Sequence, residues 1–147
     1  MEPAKKFSMV KPTLDTPFHI DFEWWQAHDT DWRVFLRNLL CDEHQIAYAA
    51  QDDNVVVDYV DPVTAEVKTV DGLLHTLLNH CAKSPDFITK DSSLISIVFR
   101  VFLANNNYPL SATELSQKIN RPANTILVTL SGPTVYKGIR PIDKKII

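Results

Sequence analysis

Glycine is scarce in this chain, with 3 in 147 residues. A glycine-rich phosphate loop needs several glycines at fixed spacing, so it is excluded. Cysteine is just as sparse, and Cys41 and Cys81 cannot build the disulfide framework of a small secreted domain. Both read as reduced thiols, and the expected compartment is cytoplasmic. Long hydrophobic runs are missing too. The opening MEPAKKFSMVKPTLDTP lacks the apolar centre of a secretory leader, and the most apolar stretch, SSLISIVFRVFLA, is broken by Arg100. No membrane partner is expected. No serine or cysteine sits in a nucleophile elbow or protease signature, so the expectation is no catalytic residue and no enzyme. Internal repeats and low-complexity segments are absent as well.

What is present is an ordinary globular composition, 45% hydrophobic and 22% charged, in a chain long enough to bury a core. The net charge of −3 conceals a split. Residues 1–110 carry 9 Lys or Arg against 16 Asp or Glu, net −7, whereas residues 111–147 carry 6 against 2, net +4. Basic charge collected at one end is an electrostatic footprint for an anionic partner.

Residues 1–20, with Pro3, Pro12 and Pro17, show no apolar period and read as an extended arm. Residues 21–91 read as a helical region with one β-hairpin. Asp21 is placed to cap a short helix through Trp24 and Trp25, and Asp29 or Thr30 to cap the next. In that second helix Trp32, Phe35, Leu36, Leu39 and Leu40 fall on one stripe. DEHQIAYAA continues as a helix until Asp52, Asp53 and Asn54. The β-branched runs VVVDYV and EVKTV, joined by DPVTA, predict an antiparallel hairpin over 55–70. Leu73, Leu74, Leu77, Leu78 and Cys81 then return to helical spacing, and Ser84-Pro85 ends that helix. Residues 83–91 form a loop.

SSLISIVFRVFLA is apolar nearly all round and predicts the most buried helix. After a turn at NNNYP, Ser111 and Glu114 have capping-box spacing, so a helix starts at Ser111 and turns Leu115 and Ile119 inward. Asn120-Arg121-Pro122 breaks the chain. A further helix from Pro122 to Ser131 buries Ile126, Leu127 and Leu130 before Gly132-Pro133 stops it. TVY and IRPI flank Lys137-Gly138, which predicts a tight turn between two short strands. Helix, turn, helix and hairpin in this order, carried by LSATELSQKINRPANTILVTL, resemble the winged helix-turn-helix superfamily over 92–142, with 143–147 a basic tail. The expected fold class is therefore α+β, mainly α. The resemblance implies a DNA-binding protein of regulatory type, whose second helix enters the major groove and whose wing touches the backbone. Carried onto this chain, the implied DNA-binding residues are Arg121, Asn124, Thr125, Thr129, Lys137 and Arg140, with Val128 on the same face. Asn and Thr read base edges, whereas Arg and Lys neutralise phosphates. One departure stands out: Pro122 to Ser131 holds no charged residue. The alternative is therefore a protein-interaction or homodimerising module that uses Val128 and exposed tryptophans.

Cys41-x-x-His44 has the spacing of a ligand pair for a tetrahedral metal, and His80-Cys81 would complete a structural zinc set, with His75 as a substitute. Neighbours on a helix diverge by about 100°, so His80 and Cys81 share an ion only if the helix frays there. The preferred expectation is no cofactor, with both cysteines as small core groups. His28, Asp29 and Asp31 form a second polar cluster, read as capping the helix of Trp32. Of the adjacent Trp24 and Trp25 only one can point inward. The other either anchors a partner or is covered by the arm.

Overall fold

The computed structural model describes residues 11–49, 56–60, 64–88 and 93–142. Among these the chain is mainly helical, with seven α-helices, one short 3-10 helix and two small antiparallel sheets, an α+β architecture dominated by helix. It divides into two compact units, residues 1–25 with 89–147 and residues 26–88. No described helix is long and apolar enough to cross a membrane.

The first unit is built on the apolar run near residue 100. Here β1 is Phe18–Ile20, α1 is Phe22–His28, in which the division between the units falls, and α5 is Leu94–Ala104. Ser93 caps α5, its side chain accepting from the Ser96 amide, and the helix buries Ile97, Val98, Phe99, Val101, Phe102 and Leu103. Burial on nearly every side follows from a helix with almost no polar stripe. The chain then reverses through Asn106 and Asn107, both left-handed at φ 58°. Helix α6, Ala112–Ile119, starts on the expected capping box: the Ser111 hydroxyl accepts from the Glu114 amide at 3.2 Å, and the Ser111 amide donates to the Glu114 carboxylate at 2.9 Å. Asn120 ends it in the left-handed conformation, and α7, Ala123–Leu130, follows with Pro122 at its N-cap. Ile126 and Leu130 of α7 are buried, while Leu127 is only half-buried.

The two-strand hairpin expected around Lys137-Gly138 is not formed. The turn is present: Lys137 and Gly138 both have positive φ, 53° and 75°, and the Ile139 amide donates to the Tyr136 carbonyl at 2.9 Å. Residues 134–136, however, form no strand. The partner of β4, Ile139–Pro141, is β1, in the antiparallel register Phe18↔Pro141, His19↔Arg140 and Ile20↔Ile139. Phe18 also bridges to Leu110, so β1 lies between Leu110 and β4. Thus residues 18–20 are a strand and not part of an arm. The reason is burial. The alternation of FHI turns Phe18 and Ile20 into the core at 0% and 1% exposure, whereas Thr134, Val135 and Tyr136 are exposed. Two fully buried side chains of that size contribute about 1.5–3 kcal/mol each, more than a two-strand hairpin offers alone.

The tryptophans follow the same logic. Asp21 caps α1 through the Trp24 amide at 3.1 Å. Trp25 is buried edge-on against Phe99, with ring centroids 5.3 Å apart, and the half-buried Trp24 ring lies beneath the Arg140 guanidinium at 5.2 Å.

The second unit contains α2, Trp32–Leu39; α3, Asp42–Ala49; the hairpin of β2, Val56–Val60, and β3, Val67–Asp71; and α4, Gly72–Asn79. The hairpin expected over 55–70 is present, paired from Val56↔Asp71 to Val60↔Val67. The proline-containing part of its connection, like Asp52 to Asn54 and the basic tail, lies outside the described residues. Leu36 and Leu39 of α2 are buried as the stripe required. Capping of α2 by a side chain is not found; Asp29 instead accepts from the Asp31 amide at 2.9 Å and closes the preceding turn. Asp71 ends β3 and caps α4, one carboxylate oxygen accepting from the Leu73 and Leu74 amides at 2.9 and 3.2 Å. Its other oxygen meets Arg33 at 2.6 Å.

One boundary departs from expectation. The helix predicted to run through Cys81 stops at Asn79, where His80 (φ −129°, ψ −65°) leaves the helical region, and Cys81–Lys83 form a separate 3-10 turn.

Candidate functional site

The face read as DNA-binding is built by α6 and α7. Asn124, Thr125 and Val128 share the outer side of α7 and are exposed, Val128 by 71%. Arg121 stands half-buried in the turn before α7, its carbonyl accepting from the Ser116 hydroxyl at 2.5 Å. Thr129 is half-buried and donates its hydroxyl to the Thr125 carbonyl at 2.9 Å, so that donor is engaged within the helix. Lys137 is half-buried in the tight turn.

Arg140 stands apart from this group. It extends from β4 to the Asp21 carboxylate at 3.2 Å and covers the Trp24 ring, so its charge already has an internal counterion. A cation in that position holds the N-terminal segment against β4. Trp24 and Trp25 likewise leave the set of exposed aromatics that the alternative required. The solvent-facing apolar groups of this unit include Val128, Tyr108, Val135 and Tyr136 instead.

The second unit gathers all four cysteine and histidine side chains that the sequence suggested. Cys41 sits immediately before α3, with its carbonyl accepting from the Gln45 amide, and His44 follows in the first turn. The Cys41 sulfur lies 3.1 Å from His44 Nδ1 and 3.3 Å from the Cys81 sulfur, and Cys81 Sγ lies 3.7 Å from His44 Nδ1. The Cys41 amide points at the Cys81 sulfur from 3.3 Å. The His80 ring stacks edge-on to His44 with centroids 4.4 Å apart. Cys81 is buried, Cys41 and His44 are half-buried, and His80 is exposed. Burial pushes the Cys81 thiol up to about 11, with the nearby Cys41 side chain adding to the rise while the Cys41 amide opposes it. His75 is not part of this grouping.

Sequence reasoning missed Glu43. Its carboxylate is 3.5 Å from His80 Nε2, and one ligating atom from each of Cys41, Glu43, His44 and His80 lies within 4.8 Å of the others. The signal was adjacency: Glu43 stands inside the Cys41-x-x-His44 run at the exposed start of α3. Asn107 was missed as well: its side chain accepts from the Ile20 amide at 2.8 Å and donates to the Ile20 carbonyl at 2.9 Å, across 87 positions of sequence.

No family model, curated protein or solved structure matches this chain.

Proposed function

We propose that the first unit is a non-catalytic recognition module of winged helix type that binds duplex DNA through the outer face of α7. The observation that carries this reading is the exposed trio Asn124, Thr125 and Val128 on a helix held by a capped partner helix. An amide, a hydroxyl and a branched apolar group are the types that meet adenine edges and thymine methyls in the major groove. Arg121 and Lys137 are the phosphate contacts proposed beside it, in the region where the sequence carries its basic excess. Arg140 is not included, because Asp21 already offsets it. Few cations imply a shallow salt dependence and modest affinity.

A protein partner is the second reading. It is favoured by the 71% exposure of Val128 on a helix without charge. Fluorescence anisotropy with random and defined duplexes across a salt series separates the two. A DNA module weakens as salt rises, through loss of counterion release. A flat, negligible signal at every salt concentration rejects the DNA reading and leaves α7 as a protein-contact helix.

A further inference from the structure

The structure assigns Cys41, His44, His80 and Cys81 as the ligands of a structural zinc ion, a reading independent of what α7 binds. The obstacle raised by the sequence is removed by the backbone. His80 and Cys81 would diverge if both lay on α4, but the helix ends at Asn79 and a new turn begins at Cys81. The break between two adjacent donors frees them from the divergence of a continuous helix: Cys81 reaches the sulfur of Cys41 and the ring of His44, and His80 lies within 4.8 Å of the same pair. On the other side, Cys41 and His44 straddle the first turn of α3, where a residue and its third successor share a face.

The distances have the right scale. Zinc–sulfur bonds of about 2.3 Å and zinc–nitrogen bonds of about 2.0–2.1 Å in a tetrahedron set ligand–ligand edges of about 3.8 Å between sulfurs and about 3.5 Å between sulfur and nitrogen. The corresponding separations here are 3.3 Å, and 3.1 and 3.7 Å. Shifts of a few tenths of an ångström open the centre. His80 lies within the same 4.8 Å group as Cys41 and His44 and supplies the fourth donor.

Two further features suit a metal better than a pair of core thiols. Glu43 lies 3.5 Å from His80 Nε2 and within the same 4.8 Å group as Cys41 and His44, a carboxylate standing beside a ligating histidine. The Cys41 amide points at the Cys81 sulfur from 3.3 Å, a backbone donor placed to hold a metal-bound sulfur in position. The unit also has use for a staple. Its described buried side chains are few, chiefly Leu36, Leu39, Leu40, Leu73, Leu77 and Phe87 with Cys81, and a unit of this size stands near the limit at which a hydrophobic core suffices alone. Two sulfurs with two imidazoles select zinc over hard cations such as magnesium or calcium. On binding, each thiol gives its proton to solvent, and two thiolates neutralise the dication.

The test uses the full chain, reduced and without a histidine tag. Elemental analysis should find about one zinc per chain. Cobalt added to the metal-stripped protein should give the intense visible bands of a tetrahedral ion together with a thiolate-to-cobalt charge-transfer band, both abolished by zinc. X-ray absorption of the zinc form should show two sulfur and two nitrogen neighbours. Cys41→Ser and Cys81→Ser should each weaken the charge-transfer band, and Glu43→Gln should lower zinc affinity by roughly 10-fold or more. Should the cysteine variants fail to fold, the absorption data on the unaltered protein decide alone. The assignment is overturned by metal-free protein that shows no charge-transfer band with cobalt, by a zinc shell lacking sulfur, or by undiminished zinc affinity in the Cys41→Ser/Cys81→Ser double variant.

Discussion

Gly138 packs its backbone directly on Trp25: a Cβ at this glycine would lie 2.6 Å from the Trp25 Cβ and 3.0 Å from the Asp21 carbonyl oxygen. Its φ of +75° is also one that side-chain-bearing residues rarely adopt. Gly138→Ala is therefore expected to cost about 1–2 kcal/mol for the left-handed backbone and about 1–3 kcal/mol more for overpacking against Trp25. Gly132→Ala is the control, since a Cβ there meets only the Val128 and Thr129 carbonyls at 3.6 and 3.9 Å. Urea denaturation of the two variants should separate them clearly, and equal midpoints would refute the close approach.

Phe99 is fully buried against Trp25, whereas Thr129 is half-buried and bonds only within its own helix. Phe99→Ala should lose about 3–5 kcal/mol. Thr129→Ala should lie within about 0.5 kcal/mol of the parent. Melting by circular dichroism checks the ranking, and similar melting temperatures would contradict the place of α5 at the centre of the core.

The Asn107 side chain pairs with both backbone groups of Ile20, so it acts as one more rung beside β1. Removing it strands a donor and an acceptor, at about 1–3 kcal/mol for a group left without a partner. Asn107→Ala should accordingly destabilise the protein and speed hydrogen exchange at the Ile20 amide. Unchanged protection of that amide would mean the pair is not formed in solution.

Asp71 carries two loads through different oxygens, the cap of α4 and the contact with Arg33. Asparagine retains the capping oxygen and loses the charge, whereas alanine loses both. Asp71→Ala is expected to cost about 1 kcal/mol more than Asp71→Asn, the typical worth of a cap. If chemical denaturation finds the two equal, the cap contributes nothing.

For the DNA reading, Arg121→Glu and Lys137→Glu should weaken duplex binding and flatten the slope of log affinity against log salt, by about 0.9 per lost phosphate contact. Arg140→Ala should leave that slope unchanged and instead lower stability modestly, by about 1 kcal/mol or less for a partly exposed pair. Arg33 and Arg37 variants should leave the slope unaltered too. Asn124→Ala should shift preference among sequences at nearly constant slope, because base contacts specify while phosphate contacts position. Anisotropy titrations at several salt concentrations measure all of these, and a steep loss of slope in Arg140→Ala would return that residue to the interface.

Local features of this protein were determined by the sequence alone. The capping box at Ser111 and Glu114, the buried helix Leu94–Ala104 and the hairpin of β-branched runs each arise from contacts within a few residues or from a period repeated over many. The spacing of Cys41 and His44 belongs with them. Tertiary structure alone decided the rest. Phe18–Ile20 is too short to carry a periodic signal, and its pairing with Ile139–Pro141 bridges almost the whole chain. Pairing across such a distance is chosen by which side chains can be buried together, and neither strand's own residues encode its partner. The inward turn of Trp25, the union of Arg140 with Asp21, and the helix break that brings His80 and Cys81 to Cys41 and His44 are likewise products of packing.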